Sequence, residues 1–203
     1  MKMGKNRILI SLDLGTDKTT VLVGDFDDTG ELNIIGFGES KTEGIEKGLI
    51  VKPNNVIDSI RKAISDAETT SGVSISSAIV NISNAHIEFE NISEFLTYGT
   101  NQKEIDDTDI STLTQKISEK LQKEQNQIIH IIPKRFILDD IDEVIDPRGF
   151  LASKIQGEFH VILSKINTFA NLKKVIENSG ISVIDFVYNP IASSSSVLYP
   201  EEK

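Results

Sequence analysis

The chain has 203 residues, 38 % of them hydrophobic and 26 % charged, enough for one domain with a sizeable core or for two small ones. Thirty-one acidic against twenty-one basic side chains leave a formal charge of -10, and no basic stripe offsets it. Such a surface repels phosphate backbones, which excludes nucleic acid as a partner. The absence of cysteine excludes disulfides and thiolate metal sites and fits a reducing compartment.

The N-terminal segment MKMGKNRILISLDLG is basic, but Ser11 and Asp13 break its short apolar run, so it reads as a first strand and not as a signal peptide. No apolar run approaches the ~20 residues of a membrane span, and the chain reads as cytoplasmic. Three strand-like runs follow one another: RILISLDLG, TTVLVGDFD and ELNIIGFGES. The turn DDTGE, with Gly30 free to take positive φ, and the short first connection predict an antiparallel meander. In VKPNNVIDSIRKAISDAETTSG the period changes: Val56, Ile57, Ile60, Ala63, Ile64 and Ala67 fall at helical spacing between Pro53 and Gly72. SAIVNIS returns to a strand, so a mixed sheet with a crossover through the helix is expected.

From His86 the texture shifts. HIEFENISEFLTYG reads as a strand, and DTDISTLTQKISEKLQKEQNQ as a helix with Ile110, Leu113, Ile117 and Leu121 on one face. IIHIIPKRFILDD and SKIQGEFHVILSK are further strands, giving a strand–helix–strand–strand block that could be an inserted α+β subdomain over residues 85–162. The chain then resumes α/β alternation with the helix INTFANLKKVIENSG, its Phe169, Leu172 and Ile176 inward, the strand ISVIDFVYN, and a helix opened by Pro190. The fold class is α/β: residues 1–84 and 163–203 form a mixed-sheet subdomain around the insertion.

Among candidate sites the first turn stands out, because Asp13, Gly15, Thr16, Asp17 and Lys18 crowd one hairpin tip. It is either an ordinary turn capped by Asp17 or Thr16, or a phosphate cradle in which free N–H groups form an anion nest. It is not a P-loop, since Ile10 stands where the earlier glycine belongs and a strand follows in place of a helix. The acidic run Asp139–Asp146 lacks the spacing and glycine of an EF-hand and reads as a solvated loop. His86, His130 and His160 are too scattered for a metal set. Serines 193–196 lack a nucleophile elbow, and GIEKGLIVKP reads as a connecting loop.

LISLDLGTDKTTVLVGDFDDTGELNIIGFGES resembles the first phosphate loop of the actin, Hsp70 and sugar-kinase superfamily, a D-x-G-[ST] hairpin that grips nucleotide phosphates. With TEGIEKGLIVKPNNVIDSIRKAISDAE, AIVNIS, IIHIIPKRFILDD, IDPRGFLASKIQGEFHVIL and NPIASSSSVL in that order, the whole chain resembles the FtsA family of bacterial cell-division proteins, which are actin homologues. The resemblance implies an actin-like, ribonuclease H-like subdomain 1A with subdomain 1C inserted. It further implies ATP and Mg2+ as ligands of the full-length protein, with Gly15, Thr16, Asp17 and Lys18 at the phosphates and Asp13 toward the metal. ATP would act there as a structural switch, with hydrolysis slow or absent. Its members would self-associate into actin-like polymers, dock the tubulin-like division-ring protein FtsZ, and meet late division proteins through the insertion. They would work at the inner face of the plasma membrane. The family's second phosphate loop, D-x-G-x-G-T, is not found before Lys203, so the chain is expected to be a first lobe with half a nucleotide clamp and weak nucleotide binding. A PilM-like pilus-assembly adaptor and the first lobe of a sugar or acetate kinase are the alternatives.

Overall fold

A computed structural model of the chain describes residues 8–84, 86–121 and 126–199. In chain order it opens with strands β1 (Ile8–Leu14), β2 (Lys18–Phe26) and β3 (Leu32–Lys41), a small hairpin of β4 (Ile45–Glu46) and β5 (Leu49–Ile50), helix α1 (Pro53–Ser71) and strand β6 (Ser77–Ile82). Then come β7 (Ile87–Thr97), β8 (Lys103–Glu104), α2 (Asp107–Leu121), β9 (Asn126–Leu138), β10 (Asp142–Val144), β11 (Leu151–Ala152) and β12 (Lys154–Lys165). Helix α3 (Ile166–Asn178), β13 (Ser182–Tyr188) and α4 (Asn189–Val197) close the chain. Two compact units result, one from residues 1–85 with 167–203 and one from 86–166.

The first unit is a five-stranded sheet in the order β13-β6-β1-β2-β3. The meander β1–β2–β3 is antiparallel, as its short turns require, while β6 runs parallel to both β1 and β13. The β2–β3 turn is held by Asp27, whose carboxylate accepts from the backbone of Thr29 and Glu31, with Gly30 at φ 89°. Helix α1 buries Val56, Ile60, Ala63, Ile64 and Ala67 and packs on β2 and β3. It approaches β3 so closely that a Cβ on Gly38 would strike the Ala63 carbonyl. Thr70 of the same helix exchanges hydrogen bonds with the N–H and carbonyl of Phe37, each 2.9 Å, and so caps part of the edge strand.

The second unit is a four-stranded antiparallel sheet, β10-β9-β12-β7, with the small ladder β8–β11. Alternate residues of β12 (Ile155, Phe159, Val161 and Leu163) face Leu113, Ile117 and Leu121 of α2, and all seven are almost wholly buried. Phe136 and Phe159 meet edge to face at 5.9 Å. The helix begins with a reciprocal cap: Asp106 accepts from the N–H groups of Thr108 and Asp109, and Asp109 accepts from the Asp106 N–H.

Three expectations need correction. The helix expected to reach Gln127 is described as far as Leu121; residues 122–125 lie outside the described residues, and Asn126 and Gln127 belong to β9, drawn into register with Lys165 and Ser164 of β12. The same strand carries the second unit past residue 162, because Leu163, Ser164 and Lys165 remain in the ladder. The acidic run is not wholly a loop. Asp142–Val144 is strand β10, and Asp139, at φ 49°, turns back so that its carboxylate accepts from Ser153 and Lys154.

Candidate functional site

Parallel pairing of β1, β6 and β13 brings their carboxyl ends to one edge of the first unit's sheet, the place where open α/β sheets collect ligands. A cavity of about 420 Å³ lies there. Strand β1 contributes Asp13 and Leu14, its turn Gly15 and Thr16, and β6 with the residues after it Asn81, Ile82, Ser83 and Asn84. Asn189 enters just past β13, and Thr168, Asn171 and Leu172 come from α3. The segment GIEKGLIVKP, read as a plain loop, is the β4–β5 hairpin, and its Ile45, Leu49 and Ile50 give the cavity an apolar wall.

Of the five residues singled out in the sequence, Asp13, Gly15 and Thr16 line the cavity, whereas Asp17 and Lys18 do not. The Lys18 ammonium is instead 3.0 Å from the Glu39 carboxylate of β3. That hydrogen bond, with the charge of Glu39, raises the lysine above its ordinary pKa. The Asp17 carbonyl accepts from the Thr42 N–H at 2.9 Å and anchors the turn to the end of β3. The nest of free N–H groups expected at the tip is one donor short. Gly15 N–H donates to the Lys18 carbonyl at 3.0 Å, and a Cβ at Gly15 would stand 2.9 Å from that same oxygen.

Among the described residues the cavity lining holds one carboxylate, several amides and hydroxyls, and no lysine or arginine. A bare polyphosphate would meet the charge of Asp13 and the negative field of the whole chain. A magnesium-bound one would not, because Mg2+ typically takes one or two protein carboxylates and fills its octahedron with water and phosphate oxygens. The single carboxylate therefore fits magnesium carried on a phosphate ligand. It does not fit an all-protein cage, and no cluster of three His, Asp or Glu side chains suited to a metal occurs among the described residues. The amides, and the hydroxyls of Ser83 and Thr168, were missed in the sequence. Their signal was present: Asn81, Asn84 and Asn189 each sit at or just beyond the carboxyl end of an apolar strand, where a buried run would otherwise continue.

No described helix is long and apolar enough to cross a membrane. The family model of the SHS2 domain inserted in FtsA matches residues 84–163. Over 201 residues the chain is 33 % identical to the cell division protein FtsA of Bacillus subtilis, covering 99 % of this chain and 46 % of that protein. Against FtsA of Escherichia coli it is 26 % identical over 203 residues, covering 100 % and 48 %. A solved PilM-PilN type IV pilus biogenesis complex matches with a TM-score of 0.62 at 10 % identity, over 92 % of this chain and 49 % of that one. That likeness shows the actin-like α/β fold alone. The chain spans about half the length of its FtsA relatives, and over that span it is similar to the FtsA cell-division proteins.

Proposed function

We propose that this chain is the part of an actin-like division scaffold that carries the first phosphate loop, with ATP as a structural ligand rather than a substrate in rapid turnover. What supports this is the cavity at the carboxyl ends of β1, β6 and β13, whose lone carboxylate, Asp13, lies beside the Gly15–Thr16 turn. In this reading Asp13 faces a magnesium ion through water, and Gly15 and Thr16 meet phosphate oxygens. Magnesium, when bound, supplies the positive charge that the lining lacks. Asp17 and Lys18 stand as an outer support of the turn. The two units read as subdomains 1A and 1C. In the whole protein the scaffold would self-associate, dock the tubulin-like ring protein, recruit later division proteins through the second unit, and work at the inner face of the plasma membrane.

Calorimetric titration of Mg-ATP into the chain tests the nucleotide part. A turn with few free donors, open to water, should give about 4 kcal/mol, which is millimolar affinity. Asp13→Ala should remove the binding. Lys18→Ala should change it less than about twofold, because its exposed partner Glu39 already holds the ammonium. Micromolar affinity indifferent to Asp13→Ala would count against the proposal.

A further inference from the structure

The Asn81 side chain makes two directed bonds to β1 beside the phosphate turn. Its Nδ2 donates to Asp13 Oδ1 at 2.6 Å, and its Oδ1 accepts from the Leu14 N–H at 3.2 Å. The amide thus spans two strands that pair in parallel only through Ser11 with Ile79 and Leu12 with Val80. It takes over where that ladder stops. An apolar side chain would serve a strand end facing β1 as well, yet here both ends of the amide are used on neighbouring groups of one strand. The other carboxylate oxygen, Asp13 Oδ2, has no hydrogen-bond partner among the described residues, and both Asp13 and Asn81 line the cavity.

We propose that Asn81 is a positioning residue that fixes the Asp13 carboxylate, holding one oxygen so that the other is kept for a divalent cation in the cavity. This rests on the magnesium reading above and adds to it which residue sets the geometry. The physical basis is that an exposed aspartate turns freely about its side-chain bonds, and each conformer that looks away from the cavity lowers the apparent affinity. A partner that bonds one oxygen removes those conformers, as outer-shell partners of metal-binding carboxylates do, usually with a tenfold or larger effect on affinity.

The test uses Mn2+ carried on ATP, followed by the enhanced relaxation of water protons when the complex binds the 203-residue chain. The wild type should show a saturable site that Asp13→Ala removes. Asn81→Ala should bind roughly tenfold more weakly. Added to Asp13→Ala, it should cause no further loss. A merely structural role would lower the melting temperature in both backgrounds and leave Mn2+-ATP affinity of the folded protein unchanged, which would overturn the positioning role and leave the magnesium reading standing. If the wild type shows no saturable site, or one indifferent to Asp13→Ala, both fall. Should Asn81→Ala fold poorly, Asn81→Ser carries the same comparison.

Discussion

The two units apply the same element, a sheet covered by a helix, to different ends. In the first, three parallel strands end together, and the chain leaves each of them through a turn or a helix start that brings polar groups to a common edge. In the second, every pairing of the four-stranded sheet is antiparallel, so the carboxyl end of each strand lies beside the amino end of its neighbour. Its side chains close over α2 as a core. Strand direction, more than residue content, decides which unit has somewhere to hold a ligand.

The largest expected effect separates the units by their cores. Leu113→Ala removes a wholly buried side chain from the second unit and should cost about 3 kcal/mol, read as a lower denaturation midpoint. Mg-ATP affinity should stay within about twofold. Next is Gly38→Ala in the first unit. Its new methyl group meets the α1 backbone, which cannot rotate aside, so a loss of about 2 kcal/mol is expected in the same denaturation experiment.

A smaller effect concerns the cap of α2. Burial pushes the Asp109 carboxyl upward, but hydrogen bonds from Lys103 and the Asp106 N–H, with the Lys103 charge, outweigh it and hold the group below its usual range. A depressed carboxylate stabilises the fold above its unfolded pKa, about 3.9, and that contribution is lost as pH falls through the lower folded value. Asp109→Asn should therefore cost about 1–2 kcal/mol at pH 7, and the gap from wild type should close below about pH 4. Melting curves across that range decide it; a gap constant in pH would assign the effect to packing.

Much of this was legible in the sequence, for reasons that differ by element. The meander, α1 and β6 could be read because Gly30, Pro53 and Gly72 mark their limits and the apolar periods change cleanly between them. The start of α2 was readable for the same reason. Its end was not, since Gln122 to Gln127 continue a helix-compatible polar pattern and only the long partner strand β12 makes Asn126 and Gln127 extended. Strand β10 was hidden because its acidic residues carry no apolar alternation; its pairing with β9 comes from the turn at Asp139 and Asp140. At the site, the sequence marked the turn but not the rest of the cavity. Asn81 lies 68 residues from Asp13 in the chain, and no local pattern tells that β6 will lie beside β1.

Hydrogen–deuterium exchange with and without Mg-ATP, at a concentration about tenfold above the millimolar Kd, tests the central claim most directly. The account predicts slowed exchange in residues 13–18, 45–50 and 81–84, and none across 87–165. Protection confined to the second unit, or none at residues 81–84 under saturation, would contradict it.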